Sequence, residues 1–144
     1  MNDTRQFLLK DDSSRFAKGY DESGRAASQW DFKAFSAAGA LRSTAYDMLL
    51  YARANMGKAP AQLSKAISLT HLPGFTDGQN KTALGWHYIK PGNEEILFHN
   101  GGTGGYRSYL GINLKKEFAI IILSNTAIGT EGIGNELMKW LESN

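Results

Sequence analysis

One histidine, one asparagine and four glycines crowd into the stretch FHNGGTGGYRS, Phe98 to Ser108. Gly101, Gly102, Gly104 and Gly105 fall within five positions, and apolar alternation resumes after them. Such a run can cradle a phosphate, supply the positive φ of a turn, or form a bare wall of an active site. In the last case, missing side chains let a substrate lie against strand backbone.

Sequence context removes the phosphate readings. A Walker loop needs G-x-x-x-x-G-K-[ST] leading into a helix. Here Tyr106, Arg107 and Ser108 follow, then a strand pattern, with no lysine at the required place. A dinucleotide fingerprint needs a third glycine three residues after the second and a helix behind it. Arg107 stands at that third position. A glycine-rich hairpin and an active-site wall both remain open.

The elements that must position these residues follow from periodicity. Residues 1–42 are polar and irregular, with a turn at Ser23-Gly24. Residues 43–73 are helical. Ser43 or Thr44 serves as N-cap, and Asp47 favours the positive end of the first helix. Ala45, Met48, Leu49, Ala52 and Met56 recur near helical spacing, and Gly57 stops it. A second helix runs through APAQLSKAISLTHL. Residues 82–126 carry strand periodicity in ALGWHYI, EEILFHN, YRSYLGINL and FAIIILSN, with short turns at Pro91-Gly92-Asn93 and Lys115-Lys116-Glu117. Short turns imply an antiparallel meander. Residues 128–143 form a last helix with an apolar stripe at Ile133, Leu137, Trp140 and Leu141. The expected fold class is α+β: one domain over residues 1–144, with an antiparallel sheet of about four strands flanked by helices.

Phe118 to Leu123 is apolar at every position. A strand with one wet face alternates, so helices should cover both faces of this sheet. Such a strand suits the middle of a sheet, yet a meander leaves it last, with a single partner. A neighbour is expected beside it, from another polypeptide segment or from a second copy.

At 42% hydrophobic and 21% charged, the chain reads as globular rather than disordered. A net charge of +2, with acids and bases mixed, offers no basic stripe for nucleic acid. No stretch approaches the roughly 20 apolar residues of a membrane span. The N-terminus lacks the basic-then-apolar order of a signal peptide. With no cysteine, disulfides, thiolate metal sites and cysteine nucleophiles are excluded. His71, His87 and His99 lack close metal-ligand spacing, so no metal or other cofactor is expected. His71 reads as a surface residue and His87 as structural. Trp30, Trp86 and Trp140 read as core or interface anchors, and Asp11-Asp12 and Glu94-Glu95 as solvated pairs.

Taken in order, FSAAGALRSTAYDMLLYARANMG, LGWHYI, FHNGGTGGYRSYLGINL and FAIIILSNTA resemble the C-terminal part of the class C β-lactamase-like serine hydrolases. That family includes β-lactamases, D-alanyl-D-alanine carboxypeptidases and esterases. MNDTRQF resembles the segment after the family's catalytic tyrosine region, so the resemblance spans nearly all of the chain. It implies a partial β-lactamase/transpeptidase-like fold. It also places His99-Asn100-Gly101 in the family's third signature, a K-T-G or H-x-G triplet on the strand lining the active site. His99 would face the catalytic groups, and the Gly102 N–H would be one oxyanion-hole donor. Asn100, Gly101 and Thr103 would contact substrate, and Gly39 to Arg42 would form the cleft rim. The histidine form of the triplet is more usual in peptidase- and esterase-like members.

The departures from the family weigh as much as the matches. The nucleophile of the family sits in S-x-x-K, and none of the eleven serines has lysine three residues on. None of the six tyrosines meets Y-x-N. In the family both signatures lie upstream of the matched part. The resemblance therefore implies the C-terminal segment of a serine hydrolase acting on D-alanyl peptides, β-lactams or esters, inactive without an N-terminal part. An interaction module pairing through its sheet edge is the alternative. A cryptic hydrolase using Ser108 with His99 is disfavoured, because no acid partner is evident. Family members are often periplasmic or secreted; the sequence itself leaves the compartment open.

Overall fold

The computed structural model describes residues 1–78 and 80–144. Among them are three α-helices, α1 (Ala45–Arg53), α2 (Ala61–Thr70) and α3 (Glu131–Ser143), and six strands. The strands are β1 (Phe75–Asp77), β2 (Asn80–Ala83), β3 (Trp86–Ile89), β4 (Ile96–Thr103), β5 (Tyr106–Asn113) and β6 (Phe118–Ser124). They form one antiparallel sheet in chain order.

The α+β meander is as expected, but six strands replace about four. The run ALGWHYI is two strands broken at Leu84-Gly85, where Gly85 takes φ +77°. A further hairpin adds β1, which pairs Phe75 with Thr82. Its residues Phe75 to Asp77 are all exposed. A strand with no buried face carries no apolar alternation, which is why periodicity passes over it.

The two faces of the sheet bury different residues. On one, Leu97, Leu110 and Ile112 join Trp86 and Ala52 of α1, with Met48 and Met56 at the margin. On the other, Ile96 and Tyr109 meet Met138 of α3, with Phe98, Phe118, Ile120 and Ile122 around them. The double cover inferred from Phe118–Leu123 is thus α1 on one face and α3 on the other. Thr44 caps α1, its hydroxyl accepting from the Asp47 amide at 3.2 Å. Asp47 is buried, and it also accepts from the Asp3 amide and the Thr4 hydroxyl, both at 2.8 Å. Burial pushes its pKa up; those bonds and the nearby N-terminus outweigh it and hold the carboxyl below its usual range.

α3 departs from its expected stripe. Gly134 and Met138 are its buried residues. Gly134 lies so close to the Tyr109 ring that a Cβ would sit 2.5 Å from it. The Tyr109 hydroxyl donates to Asn135 Oδ1 at 3.0 Å, and burial raises its pKa to about 12. Ile133 and Trp140 stay 60% and 61% exposed, and Leu137 38%. The tryptophans divide likewise: Trp86 is buried, while Trp30 and Trp140 are exposed.

His71 is not a surface residue. It lies half-buried at the end of α2, edge-on to Trp86. Asn55 donates from Nδ2 to the Tyr51 carbonyl at 2.9 Å, which leaves Oδ1 to accept from His71 Nε2–H at 2.8 Å. The Tyr88 hydroxyl donates to the His71 carbonyl. His87, by contrast, is exposed, its ring tilted against Phe98.

Burial lowers the pKa of His71. The unfolded chain therefore takes up a proton at higher pH than the folded one. His71 should contribute stability in full above its unfolded value of about 6.5, and lose it as pH falls below that toward the folded pKa. Urea midpoints from about pH 7.5 down to about 5.5 should decline in the wild type. The decline over this window should flatten in His71→Gln; an unchanged slope counts against the assignment.

Candidate active site

β4 outruns its neighbour. Its pairing with β3 stops at Phe98 opposite His87, whereas its pairing with β5 continues to Thr103 opposite Tyr106. Among the described residues, His99 to Thr103 thus carry strand backbone with no strand partner on the β3 side. A cleft of about 1200 Å³ opens there, lined by His99 to Thr103, by Ser36 to Ser43 opposite, and by Arg107, Ser108 and Ser124 of the adjoining strands. The site residues expected from the sequence, His99, Asn100, Gly101, Gly102 and Thr103, all border this one space, as do Gly39 to Arg42.

The four glycines are there for different reasons. A Cβ at Gly101 would meet Ser108 Oγ at 2.8 Å, and one at Gly102 would meet an Arg107 guanidinium nitrogen at 2.7 Å. Both obstacles are the ends of side chains. A Cβ at Gly104 would fall 2.3 Å from the Ser28 carbonyl and 2.8 Å from the Trp30 ring. Gly105 has φ +75°, and its Cβ would lie 2.7 Å from the Tyr20 amide nitrogen. The second pair therefore answers to the hairpin and to the chain packed over it. Only the first pair lies on the unpartnered edge, where bare backbone faces a cleft.

That overlying chain is the turn at Ser23-Gly24. Tyr20 N–H donates to the carbonyls of both Gly105 and Asn125, at 3.3 and 3.0 Å, tying residues 19–28 to the strand tips. Below it, Phe16 packs 5.5 Å from the Tyr106 ring, and the Arg42 guanidinium lies over Phe16 at 5.8 Å. Arg42 donates to the Gln6 and Ala40 carbonyls at 2.5 and 3.1 Å, which fixes the rim segment.

Side-chain orientation separates the triplet members. By strand alternation His99 and Gly101 share the face of Leu97, toward α1, and Ser108 lies on the same face opposite Gly101. His99 is exposed. Asn100 points the other way, its amide donating to Glu131 Oε1 at 2.6 Å, so α3 holds the middle residue of the triplet. Glu131's own amide, then Asn100, keep that carboxyl below its usual range, against the opposing effect of burial. Glu131 escaped the sequence reading. Its one signal, Thr130-Glu131 opening a helix, reads as capping. Trp30, read from the sequence as a core or interface anchor, lies beside Gly104, a contact that no spacing announces between residues 74 positions apart.

The arrangement is an α+β fold with a six-stranded antiparallel sheet, a helix on each face and a histidine–x–glycine strand at a cleft. The β-lactamase family model matches residues 1–138, and the chain belongs to the β-lactamase family. Among solved structures, a class C β-lactamase covers 100% of this chain at 19% identity and TM-score 0.88. A β-lactamase/D-alanine carboxypeptidase from Pseudomonas syringae covers 98% at 20% identity and TM-score 0.86. The D-alanine carboxypeptidase AmpC from Burkholderia cenocepacia covers 98% at 21% identity and TM-score 0.82. At these identities the likeness is one of fold. The chain spans 49%, 49% and 50% of those three chains, about half their length. Among curated proteins, none matches this chain.

The glycine assignments make a graded prediction. Gly104→Ala drives a methyl into backbone and should destabilise by about 1–3 kcal/mol, the usual range for overpacking. Gly102→Ala meets only a guanidinium that can swing away, and should cost well under half of that. Denaturant unfolding of both variants checks the order; equal losses would refute it.

Proposed function

We propose that this chain is the C-terminal segment of a β-lactamase-like serine hydrolase, and that it supplies one wall of the active site. The supporting observation is the unpartnered edge His99–Thr103 bordering a single cleft. On this reading the nucleophilic serine and its lysine, in S-x-x-K, and the tyrosine of Y-x-N come from an N-terminal part across that cleft. About half the length of the matched structures lies outside the segment they share with this chain, which leaves room for that part.

The chemistry assigned to the whole enzyme is acyl transfer through serine. The serine oxygen attacks the substrate carbonyl, its proton passing to the lysine–tyrosine pair, and the carbonyl oxygen becomes an oxyanion. The Gly102 N–H is one of two donors to that oxyanion, each worth about 3 kcal/mol in the transition state. The carbonyl then re-forms and expels the leaving amine or alcohol. Water attacks the acyl-serine next, and a second collapse releases the carboxylic acid and restores the serine. His99 holds the protonation network or the substrate carboxylate, with Asn100, Gly101 and Thr103 along the substrate. D-alanyl peptides, β-lactams and small esters are the substrate classes. The histidine form of the triplet favours the peptidase and esterase members.

An acyl-transfer site without its nucleophile should be silent. The 144-residue chain alone should give flat traces with nitrocefin and with p-nitrophenyl acetate. Adding an N-terminal polypeptide with S-x-x-K, encoded in frame upstream, should restore turnover. His99→Ala should then lower kcat/KM by about 10²-fold or more. Saturable turnover by the chain alone, abolished by Ser108→Ala, would overturn the proposal.

A further inference from the structure

Gly102 and Arg107 stand opposite each other in the β4–β5 ladder, so side chains at both positions project from the same face of the sheet. Gly102 has no side chain, and the arginine fills the space. A Cβ at Gly102 would lie 2.7 Å from Arg107 Nη1, 3.1 Å from Cζ and 3.3 Å from Nε. The guanidinium is thus laid over β4 at the residue whose N–H is assigned to the oxyanion. Nη1 donates to the Tyr106 carbonyl at 3.2 Å and reaches the Thr103 carbonyl at 3.5 Å. Among the described residues, Nε and Nη2 have no acceptor, and no carboxylate forms an ion pair with this guanidinium.

The charge of the cleft around it has one sign. Arg15, Arg42, Arg107 and His99 line it, and among the described residues no aspartate or glutamate does. Asp3 neutralises Arg15 at 3.0 Å, whereas Arg42 donates to carbonyl oxygens only. Glu131 shares the α3 face with Arg107, but its carboxylate accepts from Asn100 and lies outside the cleft lining. Arg107 is half-buried, so its charge has given up part of its water without gaining a counter-charge. Its Nε–H and one Nη2–H point the same way, as a planar fork. A carboxylate fits that fork through two parallel N–H···O bonds.

We propose that Arg107 determines specificity by binding a carboxylate on the carbon attached to the leaving nitrogen of the substrate. The inference rests on the acyl-transfer reading of the cleft and narrows its substrates. D-alanyl peptides with a free C-terminus and β-lactams carry that carboxylate; neutral esters do not. With the scissile carbonyl oxygen at the Gly102 N–H, the carboxylate carbon of a terminal D-alanine is three covalent bonds from the scissile carbon, within about 4 Å. The guanidinium laid over Gly102 is placed to meet it. Arg107 gains and loses no proton in this role. It orients the substrate and supplies the counter-charge, while the bonds made and broken are those of the acyl transfer.

N-acetyl-D-alanyl-D-alanine and its C-terminal amide differ in that one charge. Titrated into the 144-residue chain, the acid should shift the backbone amide resonances of Gly102 and Arg107 saturably. The C-terminal amide should bind about 10-fold more weakly or worse. Arg107→Gln should abolish the preference and Arg107→Lys should keep part of it, with circular dichroism reporting on the fold of each. In the enzyme completed by its S-x-x-K part, Arg107→Gln should lower the ratio of kcat/KM for acid over amide by about 10-fold or more. A chain without preference for the acid overturns the inference, a result that needs no variant. So does turnover of both substrates in a ratio that Arg107→Gln leaves unchanged. Acid-selective shifts at Gly102 and Arg107 with no turnover by the completed enzyme support the carboxylate site and count against the hydrolase reading.

Discussion

The β4–β5 ladder is the constraint on which the rest depends. Leu97 to Thr103 pairs residue for residue with Ile112 to Tyr106. Its lower half is buried on both faces, with Leu97, Leu110 and Ile112 toward α1 and Ile96 and Tyr109 toward α3. Its upper half runs past β3 and meets open space. One rigid hairpin is thus core at one end and cleft wall at the other. Burial of apolar surface on both faces, at about 25 cal/mol per Å², holds the cleft end in place without needing contacts there.

Polar groups refine that position. The hydrogen bond from Asn100 to Glu131 links the exposed end of β4 to the first turn of α3. The donation of Tyr20 N–H to Gly105 and Asn125 ties the N-terminal segment to the strand tips. The Arg42 guanidinium, bonded to Gln6 and Ala40 and laid over Phe16, sets the facing rim. Residues 1–42 are nearly without regular structure, yet each of these contacts gives them a defined place. Surface pairs such as Lys81–Glu95 and Lys115–Glu94, both at 2.6 Å, are solvated and add little.

A sheet whose last described strand is paired on one side only, and a cleft bordered by a strand end paired on one side only, are two consequences of one geometry. A meander closes each strand with its sequence neighbours and leaves the first and last strands open. Here β1 is three residues long and β6 seven. The chain belongs to the β-lactamase family and spans about half the length of the solved structures it matches.

The amino-acid sequence alone determined the order of helices and strands, the turn at Ser23-Gly24, the double-covered strand Phe118–Leu123 and the stretch His99–Thr103 as the place to look. Each of these signals is local: a period, a cap, a glycine run. Only the tertiary structure decided that α1 is the second cover, and that Ile133 and Trp140 stay exposed on α3 while Gly134 and Met138 are buried. It alone showed that Gly104 and Gly105 serve packing while Gly101 and Gly102 border the cleft. It also made His71 a half-buried partner of Asn55, and added β1 from residues with no apolar alternation. These outcomes depend on which distant residue approaches a given backbone, and nothing in local periodicity encodes that distance.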